Sequence, residues 1–162
     1  MTHDAHQMSG PMDKNNFKAY ALLGAMTLIM YVVMYLFMFA MINSGANFFN
    51  NVNQAYMAGL MTAPMVLIEL AIMRRMYQNT TANVMVAIAA ILVLAISWFG
   101  IRQQWGVDDR QFLKSMIPHH AGAILMCEQA PLQRPQIKAL CSDIVRSQQA
   151  EIAAMKALLT NP

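Results

Sequence analysis

Hydrophobic and polar positions divide this chain into two regimes. Between Ala19 and Ile101 the apolar residues form long runs; between Asp108 and Leu159 they recur every third or fourth position. The first run, "AYALLGAMTLIMYVVMYLFMFAMI" over 19–42, carries no charge and exceeds the roughly 20 apolar residues that a membrane-crossing helix needs. It is also longer than the roughly 7–15-residue apolar core of a cleaved signal peptide. A second run covers 55–73, interrupted by Pro64 and Glu69, and a third covers 82–101. Trp98 and Trp105, at the end of the third, suit a headgroup layer. Residues 1–18 read as a flexible tail ahead of these spans.

The amphipathic region predicts two helices. Asp108 suits an N-cap and Asp109 a first turn. The first helix extends to about Ala130, where "APLQRP" breaks it with two prolines. The second covers about 136–159, with Ile137, Leu140, Ile144, Ile152 and Met155 at helical spacing. No stretch alternates as a strand does. The expected fold is all-α: a three-span membrane domain over 19–101, then a helical hairpin over 108–159.

Composition and charge sharpen this picture. The chain is 57% hydrophobic and 12% charged, against about 25% charged in soluble domains. A net charge of +3 with no basic stripe leaves no basis for nucleic-acid binding. Lys14 and Lys18 precede the first span, Arg74 and Arg75 follow the second, and the loop "NSGANFFNNVNQ" between those spans is uncharged. The positive-inside rule then puts the N-terminus and the Arg74–Arg75 loop in the cytoplasm. The hairpin falls outside, which in a bacterium is the periplasm. Arg102, Arg110 and Lys114 run against this orientation, and Asp108 and Asp109 partly offset them.

Candidate chemistry concentrates in "MIPHHAGAILMCEQA". The chain has 4 histidines, and two of them, His119 and His120, are adjacent. Met116 lies one turn before them, Met126 and Cys127 two turns after. His120 occupies a place where the stripe of Leu113, Met116, Ile117, Ile124 and Cys127 calls for an apolar residue; Gln148 and Glu151 interrupt the second helix in the same way. Polar groups in a buried stripe need partners. Folding the hairpin about Gln133–Arg134 with equal rise brings Cys127 opposite Cys141, His120 opposite Gln148, and Met116 near Glu151 and Ile152. Met116 shares a face with either imidazole. Pro118 leaves the Lys114 carbonyl without its usual donor.

Neutral imidazole and thioether suit copper, and thioether favours Cu(I). The candidate ligands are His119, His120 and Met116, completed by Met155, Glu151 or the same residues of a second subunit. Gln148 is a candidate to orient the rings, and Met126 and Cys127 are further soft donors. The competing reading makes His120 a core histidine bonded to Gln148. Cys127 and Cys141 either form a disulfide or leave Cys127 free as a ligand.

Seventeen methionines occur in the chain. Met26, Met30, Met34 and Met38 form a ladder in the first span, and Met57, Met61 and Met65 another in the second. Facing ladders would offer Cu(I) a path across the membrane; each methionine also fits as flexible packing. Ala55, Gly59 and Ala63 make a small-residue stripe that lets another helix approach. Glu69 is an ionisable group within a span. His3, His6, Met8 and Met12 add weak donors in the tail.

The segments "DDRQFLKSMIPHHAGAILMCEQA" and "LCSDIVRSQQAEIAAMKALL" resemble the bacterial family called domain of unknown function 305. Its hallmark is MIPHH followed by a Gln-x-x-Glu-Ile-x-x-Met segment, here Gln148, Glu151, Ile152 and Met155. The likeness covers roughly residues 108–159. The upstream spans look like the membrane-anchored form of the family, associated with metal-resistance gene clusters. The resemblance implies a ferritin-like helical bundle and periplasmic copper binding. Longer members carry the His-containing unit twice, so this chain holds half of a four-helix bundle, and a homodimer would complete it.

The expected protein is a non-enzymatic, inner-membrane-anchored periplasmic copper binder acting in tolerance or delivery. Its expected partners are membrane lipid and a copper-handling protein. The alternatives are a subunit of an oligomeric copper transporter using the methionine ladders, and a structural anchor for a partner protein. Di-iron chemistry wants several Glu ligands and Glu-x-x-His pairs, which the hairpin lacks.

Overall fold

Five α-helices and one short 3-10 turn form between Lys14 and Thr160, the residues that the computed structural model describes, and no strand occurs among them. They are α1 (Lys14–Phe37), α2 (Val52–Ile72), α3 (Thr80–Gln103), α4 (Asp109–Gln129) and α5 (Pro135–Thr160). Phe17–Phe37 of α1, together with α2 and α3, is long and apolar enough to cross a membrane. Residues 14–18 of the segment expected as a tail are helical, since α1 begins at Lys14. His3, His6, Met8 and Met12 lie outside the described residues.

The first span also ends earlier than Ile42. The last α-type bond there runs from the Met38 amide to the Met34 carbonyl, 3.2 Å; Phe39, Ala40 and Ile42 then bond three residues back. The chain tightens and turns because Phe39 has a protein partner. Its ring, 6% exposed, lies 3.9 Å from that of Phe48 and edge-on to Tyr35. Ser44 caps the 3-10 turn Gly45–Asn47, and Asn51 caps α2 by accepting from the Gln54 amide at 3.0 Å.

α2 is the centre of the membrane layer, with α1 and α3 packed against it. Its buried face is made of Ala58, Gly59, Thr62, Ala63 and Val66. A side chain at Gly59 would collide with Ser97 of α3, and one at Gly100 would collide with the Tyr56 ring. Gly59 of the small-residue stripe is therefore used within the chain, against α3. The Tyr56 hydroxyl donates to the Trp105 carbonyl at 2.9 Å, just after α3 ends in a left-handed Gln104 (φ 53°).

The hairpin follows its expected outline. Asp108 accepts from the Gln111 amide at 2.7 Å, capping α4, and α5 opens on Pro135, whose missing N–H is harmless at a first helical position. Cys127 and Cys141 are joined as a disulfide with Cα atoms 5.3 Å apart. This corrects the reading of Cys127 as a soft metal ligand, since a bridged sulfur has no thiolate to offer.

What covers the hairpin was not legible in the helical pattern. Its core is Ile117, Ala121, Ile124 and Ile152, and Ile42 and Phe49 from the α1–α2 loop pack on it. Met41 comes within 3.7 Å of where a Gly122 side chain would begin. A polar seam reinforces the contact. The Asn51 side-chain amide donates to the Lys114 carbonyl at 3.5 Å, the group that Pro118 deprives of its helical donor. Gln111 accepts from the Val52 amide at 3.2 Å, and Asn53 reaches Ser115 and Gln104 at 3.3 and 3.1 Å. Part of the complement expected from a second subunit is thus supplied by this chain's own loop.

Two outcomes test this arrangement. Asn51→Ala removes a cap and the seam bond together, each worth about 1 kcal/mol. Amide exchange around Lys114–Pro118 should then speed up by roughly tenfold; unchanged exchange would refute the docking. Alkylation without reductant should leave both cysteines unmodified by mass. Cys127→Ser should lower hairpin stability by about 3 kcal/mol, as opening a loop of this length does.

Candidate functional site

α4 and α5 run antiparallel, and the site lies where their polar interruptions meet. The His120 side chain is 12% exposed, and its Nδ1 is 3.0 Å from Glu151 Oε2. The approach has the distance of an ion pair without the alignment of a hydrogen bond, so this buried nitrogen carries no hydrogen bond. Burial pushes the His120 pKa below its ordinary value; the Glu151 charge opposes that shift and His119 adds to it. The ring therefore favours its neutral form, the one able to bind a metal.

The sequence reading pairs His120 with Gln148, whereas its partner is Glu151, one turn farther from the hairpin bend. The cause is side-chain tilt. Each Cα–Cβ bond leans toward its own helix N-terminus, so α4 side chains lean away from the bend and α5 side chains toward it. Long side chains meet with an offset that the short cysteines, level with each other, do not show. Gln148 acts on Glu151 instead, donating to Oε2 at 3.5 Å, while the Ser147 hydroxyl donates to Oε1 at 2.8 Å. Ser147 is absent from the sequence-derived set; its position four residues before Glu151 is the signal for it.

By helical spacing the same offset puts Met116 and Met155 at about one level, each four residues from its member of the His120–Glu151 pair. Met116 is half-buried, and Met155 packs on the core around Ile117 and Ile152. His119 is exposed; its ring centroid is 6.0 Å from that of His120 and the planes are 58° apart. Adjacent helix positions diverge in this way. Met126, 55% exposed, lies about 9 Å farther along α4 by helical rise. Neither it nor the bridged Cys127 joins the pair. Among the described residues no three His, Cys, Asp or Glu side chains converge closely enough to hold a metal ion by themselves. A coordination set here needs the thioethers.

The membrane residues have other assignments. Met57, Met61 and Met65 are 40%, 40% and 37% exposed, away from the packed side of α2, so within a single chain this ladder lines no enclosed path. Glu69 accepts from the Tyr77 hydroxyl at 2.7 Å. Burial and that bond push the Tyr77 phenol up to about 12.

Residues 98–159, which include the end of α3 and all but the last residue of the hairpin helices, match the family described as Domain of unknown function (DUF305). An uncharacterized protein of Acanthamoeba polyphaga mimivirus is 34% identical over 111 residues, which are 67% of this chain and 71% of that relative. No solved structure matches the chain. The matched segment carries MIPHH, Gln148, Glu151 and Met155, and the likeness to the viral protein extends beyond it: the chain belongs to the DUF305 family.

Proposed function

We propose that this is a non-enzymatic, membrane-anchored copper-binding protein acting in copper tolerance or delivery, with its site at His120 and Glu151. One observation carries the reading: a buried, neutral-favouring imidazole whose Nδ1 has no hydrogen bond, set beside a carboxylate. A buried nitrogen without a partner is costly unless a ligand uses it. Met116 and Met155 at the same level add thioethers, and that donor set suits Cu(I) better than Zn or Mg. Ser147 and Gln148 hold Glu151 in place, so the carboxylate faces His120 without needing the ion to orient it. Exposed His119 is the ligand through which an ion passes to or from a copper-handling partner. Bound copper supplies the positive charge that Glu151 balances.

The membrane in this proposal is the bacterial inner membrane, with the hairpin in the periplasm. Support comes from Lys14, Lys18, Arg74 and Arg75 on one side and the uncharged first loop on the other. The proposal includes a homodimer, supported by Leu140 and Leu158 of α5, which are 58% and 60% exposed. Light scattering in mild detergent is its measure.

Two measurements test the proposal. In a titration of the full chain against a chromogenic Cu(I) competitor, His120→Ala should weaken binding by about 100-fold and Ser147→Ala by about tenfold, as loss of a supporting contact does. Met126→Leu should leave it unchanged. Affinity that survives His119→Ala with His120→Ala would remove the site. Compartment-specific reporters fused at residues 48, 78 and 160 should read periplasm, cytoplasm, periplasm. A cytoplasmic reading at 160 would remove the periplasmic assignment.

A further inference from the structure

The two histidines of α4 have different neighbours. His120 stands on the α5 side, beside Glu151. His119 diverges from it, as adjacent helix positions do, toward the side that meets the α1–α2 segment. That segment touches α4 on both sides of His119. Four residues before it, the Asn53 side chain donates to the Ser115 hydroxyl at 3.3 Å. Three residues after it, the Met41 carbonyl oxygen and Cβ lie 3.6 and 3.7 Å from where a Gly122 side chain would begin. Residues three and four apart share a helix face, so His119 stands on the strip between these two contacts, and it stays exposed there.

Met41 is a soft donor that this docking brings within reach of the ring. Cβ atoms three residues apart on a helix are about 5–6 Å apart. With the 3.7 Å between Met41 Cβ and the Gly122 position, the Cβ atoms of His119 and Met41 are at most about 9–10 Å apart. A thioether sulfur and an imidazole Nε2 stand roughly 3 and 4 Å from their Cβ atoms, and each bond to a metal adds about 2 Å, so one ion spans up to about 11 Å between them. Rotation of two side chains is enough, and Gly122 leaves the space between them free of a side chain.

Both donors are open to an incoming ion, since Met41 is 49% exposed. Packing does not account for this methionine, because its neighbour Ile42 is the residue that joins the hairpin core. The Asn51 bond to the Lys114 carbonyl holds the segment against α4 and so fixes Met41 at this height. We propose that His119 and Met41 form a second, open site for a soft monovalent cation, Cu(I), separate from His120 and Glu151. This rests on the copper function proposed above and gives the two histidines two different ions to hold. Thioether selects Cu(I) over Zn and Mg. One imidazole and one thioether leave room for a third donor, which suits a place where an ion is received or passed on.

The test uses the full chain in mild detergent, with its methionine methyl groups carrying carbon-13, and Ag(I) as a redox-inert probe for a Cu(I) site. Met41→Leu assigns the Met41 signal in the NMR spectrum. That signal should move on addition of Ag(I) and stay in place with Zn(II). His119→Ala, a change at an exposed position, should raise the Ag(I) concentration at half-shift by at least about tenfold, the order of a lost contact at a metal site. His120→Ala should leave the Met41 response as it was. Met76, 43% exposed and just beyond the far end of α2, is the control for mere exposure. A Met41 signal that does not move, that moves at the same Ag(I) concentration as Met76, or that keeps its midpoint in His119→Ala would overturn the proposal. Met116 and Met155 report on the other site: signals there that stay still while Met41 moves would remove the His120–Glu151 site and leave this one standing.

Discussion

Pro118 removes one amide from α4, and Asn51 replaces what the Lys114 carbonyl loses. The rest of the architecture depends on that exchange. The Asn51 side chain caps α2 with its oxygen at 3.0 Å from the Gln54 amide, and its nitrogen is shared between the Phe49 carbonyl at 3.0 Å and the Lys114 carbonyl at 3.5 Å. One residue therefore fixes the start of a membrane helix, the shape of the preceding loop and the position of the helix that bears His119 and His120. Ile42 and Phe49 add apolar contact beside it. A two-helix hairpin has too little core to be stable alone. Here the loop acts as its third wall, and the segment joining the apolar helices α1 and α2 is part of the hairpin's fold.

Much of this was legible in the sequence because it is local or periodic. Asp108 as a cap, Pro135 beyond the bend and the level placement of Cys127 and Cys141 all follow from helix geometry. The orphaned Lys114 carbonyl also follows, since Pro118 creates it by a fixed rule. Its partner does not, because Asn51 is 63 positions away in a loop with no period. The same gap hid the early end of α1, where Phe39 leaves the helix for a contact with Phe48 rather than for any breaker residue. At the site, spacing identified His120, Gln148 and Glu151 as a group but paired them one turn out, because equal-rise reasoning follows the backbone and not the lean of long side chains. Cys127 was open between two chemistries that spacing alone does not separate.

The site joins two opposing demands. Burial by the Ile117–Ile124 core favours a neutral His120, while Glu151 favours its protonation. The carboxylate remains 48% exposed and solvated, and its bonds to Ser147 and Gln148 spread its charge. Burial is the larger influence on the ring. An imidazole nitrogen is thereby kept dry and unbonded beside a carboxylate.

The connection between membrane and hairpin is short. Only Gln104 to Asp108 separate α3 from α4, with Gln104 and Gly106 in left-handed conformations (φ 53° and 67°) and the Trp105 carbonyl held by Tyr56. Five residues reach at most about 18 Å even when extended, and these are bent and fastened. His120 lies about 16 Å farther along α4. The histidines thus stand at a fixed height near the bilayer, like a hook on a post, and cannot sweep the surrounding volume. On the copper-binding function proposed above, encounter becomes a search over a surface: a donor or acceptor of the ion would itself have to travel close to the membrane plane, and the density of these posts per unit area, more than their reach, would set how often an ion is caught.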